Sequence, residues 1–155
     1  MASGAQRPIA QNRKARHEYF IESTLEAGVM LTGSEVKSLR QGRCSIGEAY
    51  AYEQDGELFL RGMHISPYNA AYKQNHEPLR PRKLLVHRRE LAKLLDQVQR
   101  GGNTLVPLSI YFNERGIAKV ELALARGKRK ADKRQSEKKR DWSRQKARIL
   151  REQRD

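Results

Sequence analysis

The chain has 155 residues, with 32 Lys and Arg against 18 Asp and Glu, and its formal net charge is +14. This length allows one domain of ordinary size plus an appendage, and the charge favours a polyanionic partner, with nucleic acid ahead of an acidic membrane surface. No apolar run reaches the length of a membrane span, and Met1 to Arg16 lacks an apolar stretch, so we expect a cytoplasmic protein without a membrane partner. Cys44 is the only cysteine, which excludes an internal disulfide and a cysteine-rich zinc site.

The first third of the chain predicts strands followed by a short helix. Residues 1–11 are poor in large apolar side chains and are predicted to be a flexible lead-in. His17 to Thr24 combines aromatic and β-branched residues, which favours a strand, and a second strand is predicted through Val29 to Leu31. Thr32 to Gly42 has capping residue types at its start, basic residues near its end and a terminal glycine, a pattern typical of a short helix.

The middle of the chain predicts a hairpin and then a long loop. The alternating runs Glu48 to Glu53 and Glu57 to Met63 predict two strands, with Asp55 and Gly56 supplying the turn. His64 to Arg82 contains three prolines and no sustained period, so we expect a long loop over the surface. A short apolar run follows at Leu84 to Val86.

The third part predicts a helix and a second hairpin. Arg88 to Arg100 is expected to be helical because its apolar residues fall on one face. Thr104 to Phe112 and Gly116 to Ala125 alternate well enough to form two further strands. About six strands with short helices and no βαβ alternation predict a mainly β fold, a small antiparallel OB-like barrel over residues 12–125.

The composition changes at Arg126. Residues 126–155 hold 14 Lys and Arg against 5 Asp and Glu, so 9 of the 14 net charges lie in this basic tail. Its only large apolar residues are Trp142, Ile149 and Leu150, too few to offset the backbone entropy lost on ordering. Helix-forming residues are frequent, so we predict a tail that is disordered when free and helical when bound. The alternative, an inert solubilising tail, does not explain a tryptophan among so many charges.

The sequence carries no recognisable catalytic arrangement. It lacks a legible nucleophile with its base, paired carboxylates or a phosphate-binding loop. The histidines lack the spacing of metal ligands and are each predicted to lie at the surface or at a strand end: His17, His64, His76 and His87. We therefore expect a binding protein without metal or cofactor rather than an enzyme.

Four blocks of the sequence closely resemble the SsrA-binding protein (small protein B) family. They are NRKARHEYFIES from Asn12, LEAGVMLTGSEVKSLRQG from Leu25, NHEPLRPRKLLVHRREL from Asn75 and KVELALARGKRKADKR from Lys119. The resemblance implies an OB-like barrel and a role in trans-translation. In that role the protein binds transfer-messenger RNA and, with elongation factor Tu and GTP, brings it to stalled bacterial 70S ribosomes. The nascent chain is then tagged for degradation and the ribosome is rescued.

The resemblance also implies that the barrel binds the tRNA-like part of transfer-messenger RNA through Glu26, Leu85 and Lys119. Lys119 is a cation suited to phosphate, and Leu85 offers an apolar surface to an unstacked base or ribose. Glu26 is repelled by phosphate, so it would accept hydrogen bonds from a base edge or orient a cation. Each has a plainer alternative: Leu85 as core beside Leu84, Lys119 as a solvated strand residue, and Glu26 as a turn acid.

The tail, by the same resemblance, enters the empty message channel of the small subunit near the decoding centre and folds there as a helix. We assign tail contacts to Asp132, Lys133, Arg134, Trp142, Ile149 and Leu150. Trp142 and Ile149 are seven residues apart and share one helical face, from which they could stack or wedge against a base. Ala131 stands where some relatives have a histidine, which leaves an aromatic role at that position open.

Two rival functions fit the charge distribution equally well. One is a permanent ribosomal protein that threads a basic extension into RNA, and the other is an RNA-modifying enzyme that uses the barrel as its platform. The family strings, rather than the charge, favour the rescue factor.

Overall fold

The chain folds into a mainly β body followed by a long C-terminal helix. A computed structural model describes residues 7–68, 75–128 and 130–152, with the backbone alone for 130–139 and 152. The elements in chain order are β1 (Ala10–Gln11), α1 (Ala15–Glu18), β2 (Tyr19–Val29), α2 (Gly33–Arg40), β3 (Cys44–Ser45), β4 (Tyr50–Gln54), β5 (Glu57–Arg61), β6 (His64–Ile65), β7 (Arg82–Leu85), α3 (Arg88–Gly101), β8 (Thr104–Phe112), β9 (Ala118–Gly127) and α4 (Lys130–Glu152).

Within the described residues, six strands close into an antiparallel barrel. Their order is β8-β4-β5-β7-β2-β9, and β9 pairs back onto β8, so each barrel strand has a neighbour on both edges. β1 pairs with β8 at Ala10 and Ile110, while β3 and β6 form a separate two-stranded ladder. The predicted small antiparallel OB-like barrel with flanking short helices is confirmed.

Alternation along the barrel strands fills the interior with apolar side chains. Leu58 and Leu60 on β5, and Val120, Leu122 and Leu124 on β9, are at most 1% exposed, because every second residue of a strand points to the same face. Burying one such side chain contributes roughly 1.5–3 kcal/mol. The interior therefore supplies the cohesion of the body.

A second, smaller core lies outside the barrel beneath α1. Ala15 of α1 packs with Ala123 and Ala125 of β9 and with Val106 of β8, and all four are buried. α1 therefore covers the outer face of β8 and β9 at one end. At the start of β9 the same outer face is not covered, and Lys119 and Glu121 are partly exposed there.

A buried ion pair joins α2 to the start of β7. Glu35 and Arg82 are both fully buried, and Arg82 Nε donates to Glu35 Oε2 at 2.5 Å. Arg80 Nη2 donates to Glu35 Oε1, also at 2.5 Å. Burial by itself would raise the pKa of Glu35, but Arg80, the backbone N–H of Thr32 and Arg82 together lower it below its usual value. Removal of Glu35 would leave the buried charge of Arg82 without its carboxylate, so the pair fixes α2 against the barrel.

The first hairpin and both predicted helices are confirmed. Asp55 and Gly56 join β4 to β5 with φ angles of 53° and 76°, which are the positive values of a type I′ turn. α2 begins with a capping box between Thr32 and Glu35, which satisfies backbone N–H groups at its start. α3 is followed by Gly102, whose φ of 63° lies in the left-handed region and terminates the helix.

The prediction of two separate N-terminal strands is wrong. β2 is one strand of 11 residues that ends at Val29, whereas the second predicted strand extended to Leu31. The pairing of β2 with β9 shifts register between Ile21 and Ser23. Leu25 to Gly28, where the sequence predicted a break between two strands, continue the pairing of β2 with β9 without interruption.

The prediction of a long surface loop over His64 to Arg82 is wrong in part. The segment includes β6 and the start of β7, and Arg82 is buried; residues 69–74 lie outside the described residues. His76, predicted to lie at the surface, is only 8% exposed. Its Nε2 donates to the Ile65 carbonyl at 2.8 Å, and its Nδ1 lies 2.9 Å from the Ser34 hydroxyl. Polar anchors hold this segment, so apolar periodicity could not reveal its burial.

The ends of the predicted domains differ slightly from the elements. The lead-in predicted over residues 1–11 includes β1, and residues 1–6 lie outside the described part of the chain. β9 runs to Gly127, and the tail helix α4 follows from Lys130. The division into residues 1–11, 12–125 and 126–155 stays a prediction, as does disorder of the free tail.

Candidate RNA interface

Leu85 and Lys119 lie in one row across three strands of the barrel. Gly28 of β2 pairs with Leu85 of β7 on one edge and with Lys119 of β9 on the other. Residues paired directly across antiparallel strands point to the same face, and Glu26, two residues before Gly28, shares that face. The structure therefore brings together the three residues predicted to bind RNA. We call Glu26, Gly28, Leu85, Lys119 and Tyr111 the Lys119 face.

Leu85 projects outward because its neighbour fills the core. Leu84 is 2% exposed, whereas Leu85 is 50% exposed. A Cβ atom added to Gly28 would lie 3.3 Å from the Leu85 Cβ, closer than ordinary contact, so the glycine leaves room for Leu85 to lie over β2. The alternative of Leu85 as a core residue is wrong, because its apolar side chain is half exposed at one end of the row that has Lys119 at its other end.

Lys119 places an ammonium group on the same row. Its side chain is half-buried, which is typical of a lysine whose stem lies along the sheet while its charge stays in water. Tyr111 of β8 is its partner across the strand pair. No carboxylate among the residues that the structure describes forms an ion pair with Lys119, so its charge is available to a phosphate.

Glu26 is held in place by Tyr111. The residue lies in the middle of β2, so the alternative of a turn acid is wrong. The Tyr111 hydroxyl donates to Glu26 Oε2. Burial, the hydrogen bond to Glu26 and the charges of Glu26 and Glu121 raise the pKa of Tyr111, so Tyr111 keeps its proton and remains a donor. Glu26 is thereby oriented while the rest of its carboxylate can accept hydrogen bonds from a ligand.

Acidic and hydroxyl side chains next to Glu26 lie between two groups of cations. A groove of about 560 Å³ is lined by Glu26, Tyr111, Glu121 and Ser109. A smaller cavity of about 330 Å³, lined in part by Arg13, Arg16, Ser109 and Glu121, adjoins it. Cations therefore stand at both ends, Lys119 on β9 and the arginines near α1, with acceptors between them. This order suits phosphates at the ends and a base edge in the middle.

The predicted tail residues lie along α4. Asp132, Lys133 and Arg134 are in its first two turns, and their side chains lie outside the described residues. Trp142, Ile149 and Leu150 are 64%, 50% and 52% exposed. The helix thus presents its few large apolar side chains to solvent rather than to the barrel, and none of the three is needed by the core.

The root of the tail is fastened to the segment before β2. Lys128 N–H donates to the Glu18 carbonyl at 2.9 Å, and Lys128 Nζ donates to the Arg16 carbonyl at 3.0 Å. The Phe20 ring lies 5.2 Å from Arg126 Cζ and 5.0 Å from Lys128 Nζ, both within cation–π range. The barrel therefore holds the chain up to Lys128, immediately before the helix begins.

The sequence of residues 9–152 matches the family model for SmpB protein. This chain belongs to the SmpB family. The SsrA-binding protein of Rhodopseudomonas palustris (strain BisB18) is 58% identical over 154 residues, which cover 97% of this chain and 98% of the relative. That of Moorella thermoacetica is 58% identical over 144 residues, covering 93% of each. The family predicted from the four sequence blocks is confirmed.

A solved structure gives the same assignment in three dimensions. One chain from "tmRNA-SmpB: a journey to the center of the bacterial ribosome" matches with a TM-score of 0.65 and 52% sequence identity. The match covers 80% of this chain and 90% of that chain. At this identity the likeness extends beyond fold to the SmpB family itself.

The sequence did not point to several residues that the structure places beside Glu26 in the candidate interface. Tyr111, Ser109 and Glu121 were not singled out, because their place beside Glu26 depends on the register of β8 on β9. Gly28 was also missed, although a glycine inside an apolar strand indicates close approach of a neighbour. The glycine can be recognised in the sequence, whereas the register of β8 on β9 cannot.

Other features bear on chemistry within the described part of the chain. No helix there is long and apolar enough to cross a membrane. No three His, Cys, Asp or Glu residues in that part are grouped to hold a metal ion. Burial raises the pKa of Cys44 to about 12, so its thiol stays protonated and is a poor nucleophile.

Proposed function

We propose that this protein binds transfer-messenger RNA and delivers it to stalled bacterial ribosomes, so that the nascent chain is tagged and the ribosome is released. The clustering of Glu26, Leu85 and Lys119 on one open face of the barrel carries this proposal. The names of the relatives support it, since they are SsrA-binding proteins, and the solved neighbour is a tmRNA–SmpB structure of the ribosome. The site of action is the cytoplasm, where ribosomes translate.

The Lys119 face binds the tRNA-like part of the RNA by three kinds of contact. Lys119 neutralises a backbone phosphate, which contributes affinity that falls with salt. Leu85 lies against an unstacked base or a ribose. Glu26, oriented by Tyr111, accepts hydrogen bonds from amino groups at a base edge, because a carboxylate cannot approach a phosphate without repulsion.

The tail binds ribosomal RNA instead of transfer-messenger RNA. α4 enters the message channel when no message occupies it, and the DKR residues, Asp132 to Arg134, contact the small subunit near the decoding centre. Trp142, Ile149 and Leu150 pack against ribosomal bases, which accounts for large apolar side chains exposed on a basic helix. Elongation factor Tu with GTP brings the complex to the ribosome. No step of this function requires the protein to make or break a bond, so it acts as a binding factor without a cofactor.

A mobility-shift titration tests the first step of the proposal. Transfer-messenger RNA and an unrelated structured RNA of equal length are compared at about physiological ionic strength, where nonspecific binding is weak. We expect preference for transfer-messenger RNA by orders of magnitude. Lys119→Glu should remove much of that preference, whereas Lys93→Glu, on the exposed side of α3, serves as a charge-matched control. Equal affinity for both RNAs would leave only a generic basic RNA binder.

A further inference from the structure

The Phe20 side chain lies at the end of the barrel from which the tail leaves. Phe20 of β2 is paired across the sheet with Arg126 of β9. Its ring centroid lies 5.2 Å from Arg126 Cζ and 5.0 Å from Lys128 Nζ, and both distances are within the range of cation–π attraction. One ring therefore attracts the two cations that close the barrel chain before α4. We call Phe20, Arg126 and Lys128 the tail clamp.

The Phe20 ring belongs to neither core among the residues that the structure describes. Its neighbours Tyr19 and Ile21 pack against the small core beneath α1, so Phe20, between them, points to the opposite face of β2. Phe20 is 37% exposed. Packing of either core does not account for an aromatic ring at this position, whereas its contacts with the two cations do.

The end of β9 is held along one edge only. β8 pairs with β9 from Thr104, which lies opposite Ala125, so within the described residues Arg126 and Gly127 pair with β2 alone. A two-stranded ribbon is only marginally stable, and such ends open readily. Two cation–π contacts at an exposed site favour the closed ribbon by roughly five- to thirtyfold. The tail clamp therefore keeps this end of β9 paired.

The tail clamp also determines how much chain separates the barrel from the tail helix. α4 begins at Lys130, so Arg129 alone lies between it and Lys128 in the sequence. Cα atoms of α1 and α4 lie within 8 Å of each other, which shows that the helix begins beside the barrel. If the clamp opened, residues 126–128 would join the linker and extend its reach by about 10 Å, at roughly 3.3–3.6 Å for each residue.

The length of this linker affects how well the tail finds its site once the barrel is bound. When two parts of one chain bind neighbouring sites, the second step depends on an effective concentration that the linker sets. This concentration falls with about the −3/2 power of linker length, so a change from one residue to four lowers it by about eightfold. A clamped root therefore favours binding of the tail at one place.

We propose that Phe20 is a positioning residue for the tail. By holding Arg126 and Lys128, it fixes the point from which α4 leaves the barrel. A protein bound to transfer-messenger RNA through the Lys119 face then presents its tail to a single region of the ribosome. The inference rests on the proposed function, in which barrel and tail bind different RNAs. Phe20 acts through the two cations and not through a contact with RNA.

The first test compares Phe20→Leu, which removes the ring, with Phe20→Tyr, which keeps it. Three quantities are measured on the full-length protein: affinity for transfer-messenger RNA, exchange of the Lys128 amide hydrogen with solvent, and the rate of tagging on ribosomes stalled on a truncated message. For Phe20→Leu we expect unchanged affinity, amide exchange about tenfold faster and tagging about fivefold slower. Phe20→Tyr should match the wild type in all three.

Three outcomes of this comparison would overturn the proposal. The first is wild-type tagging by Phe20→Leu. The second is a loss of tagging that Phe20→Tyr shares, because the ring would then not be the cause. The third is weaker binding of transfer-messenger RNA by Phe20→Leu, because the side chain would then support the barrel or contact that RNA instead of positioning the tail.

A second test keeps the tail clamp and lengthens the linker, which covers the case in which Phe20→Leu does not fold. Insertion of Gly-Ser-Gly between Lys128 and Arg129 adds as many residues as an open clamp would release. We expect tagging to slow about eightfold, and Phe20→Leu to slow it by no more than about twofold further in the inserted chain. Unchanged tagging by the inserted chain would contradict the role of the clamp. Tagging by a chain truncated after Lys128 would instead contradict the proposed function, so the two failures are separable.

Discussion

Tyr111 of β8 donates its hydroxyl hydrogen to Glu26 of β2 across the intervening strand β9. The bond joins an orienting phenol to a carboxylate at the centre of the proposed interface, and the same tyrosine is paired in the sheet with Lys119. Tyr111 therefore orients the Glu26 carboxylate and lies beside Lys119. An acidic side chain is thus held in a fixed orientation on the proposed RNA-binding surface of a protein of charge +14.

Tyr111→Phe should weaken binding of transfer-messenger RNA without unfolding the barrel. The ring and its packing remain, but Glu26 loses the donor that orients it, which is worth about 1 kcal/mol, or roughly fivefold in affinity. A mobility-shift titration of Tyr111→Phe, Glu26→Gln and the double variant measures the coupling. We expect the double variant to be no weaker than Glu26→Gln alone. Additive losses would show that Tyr111 acts independently of Glu26.

Leu84→Ala should lower the stability of the protein, whereas Leu85→Ala should weaken RNA binding, although the two residues are adjacent. Leu84 is 2% exposed and fills the core, so its truncation should lower the free energy of unfolding by about 2–5 kcal/mol. Leu85 is 50% exposed, so its truncation should leave urea denaturation almost unchanged and weaken binding of transfer-messenger RNA. If Leu85→Ala destabilised the fold as much as Leu84→Ala, the outward position of Leu85 would be contradicted.

Features of the fold that depend on local sequence patterns could be predicted, whereas features that depend on contacts between distant strands could not. Barrel, helices and the β4–β5 hairpin were predictable because alternation, caps and the Asp55–Gly56 turn are local. Glu26, Leu85 and Lys119 came from family strings, since nothing local distinguishes an outward leucine from a buried one. The place of Tyr111 beside Glu26 depends on strand register, a long-range property that one sequence does not display.

The segment before β7 shows that the sequence also failed to predict burial of polar side chains. Its prolines and polar residues predicted a surface loop, yet Arg82 is fully buried against Glu35, and His76 is 8% exposed. Burial by paired charges and hydrogen bonds leaves no apolar period in the sequence. Such a segment can be assigned correctly only when both partners are known.

Glu35→Gln should destabilise the protein most near neutral pH. The substitution leaves Arg82 buried without its carboxylate, which costs about 3–5 kcal/mol. Because Glu35 has a lowered pKa in the folded state, its contribution to stability is fully present above its ordinary pKa and is lost as the pH falls through the folded value. The difference between wild type and variant in urea denaturation should therefore shrink in acid. Glu57→Gln, which breaks the half-exposed pair with Lys83, is the control and should change stability little.

Lys119→Gln should reduce the salt dependence of binding as well as the affinity. A phosphate contact releases counterions, so its loss lowers the slope of log affinity against log salt by about 1. Leu85→Ala should lower the affinity without changing this slope, because an apolar contact releases no counterion. The measurement is a titration of transfer-messenger RNA binding at several salt concentrations. An unchanged slope for Lys119→Gln would place Lys119 outside the phosphate contacts.

Truncation after Lys128 should separate the two RNA-binding activities. The bonds from Lys128 to Glu18 and Arg16 are retained, so the barrel keeps its closed end and should bind transfer-messenger RNA with wild-type affinity. The truncated protein lacks α4 and should fail to support tagging on stalled ribosomes, which is measured in a reconstituted translation reaction with a truncated message. Trp142→Ala in the full-length chain should reduce tagging in the same direction, since it removes a ring that is 64% exposed and has no role in the core. Tagging by the truncated protein would mean that the barrel alone performs rescue, and the alternative of an inert solubilising tail would then be correct.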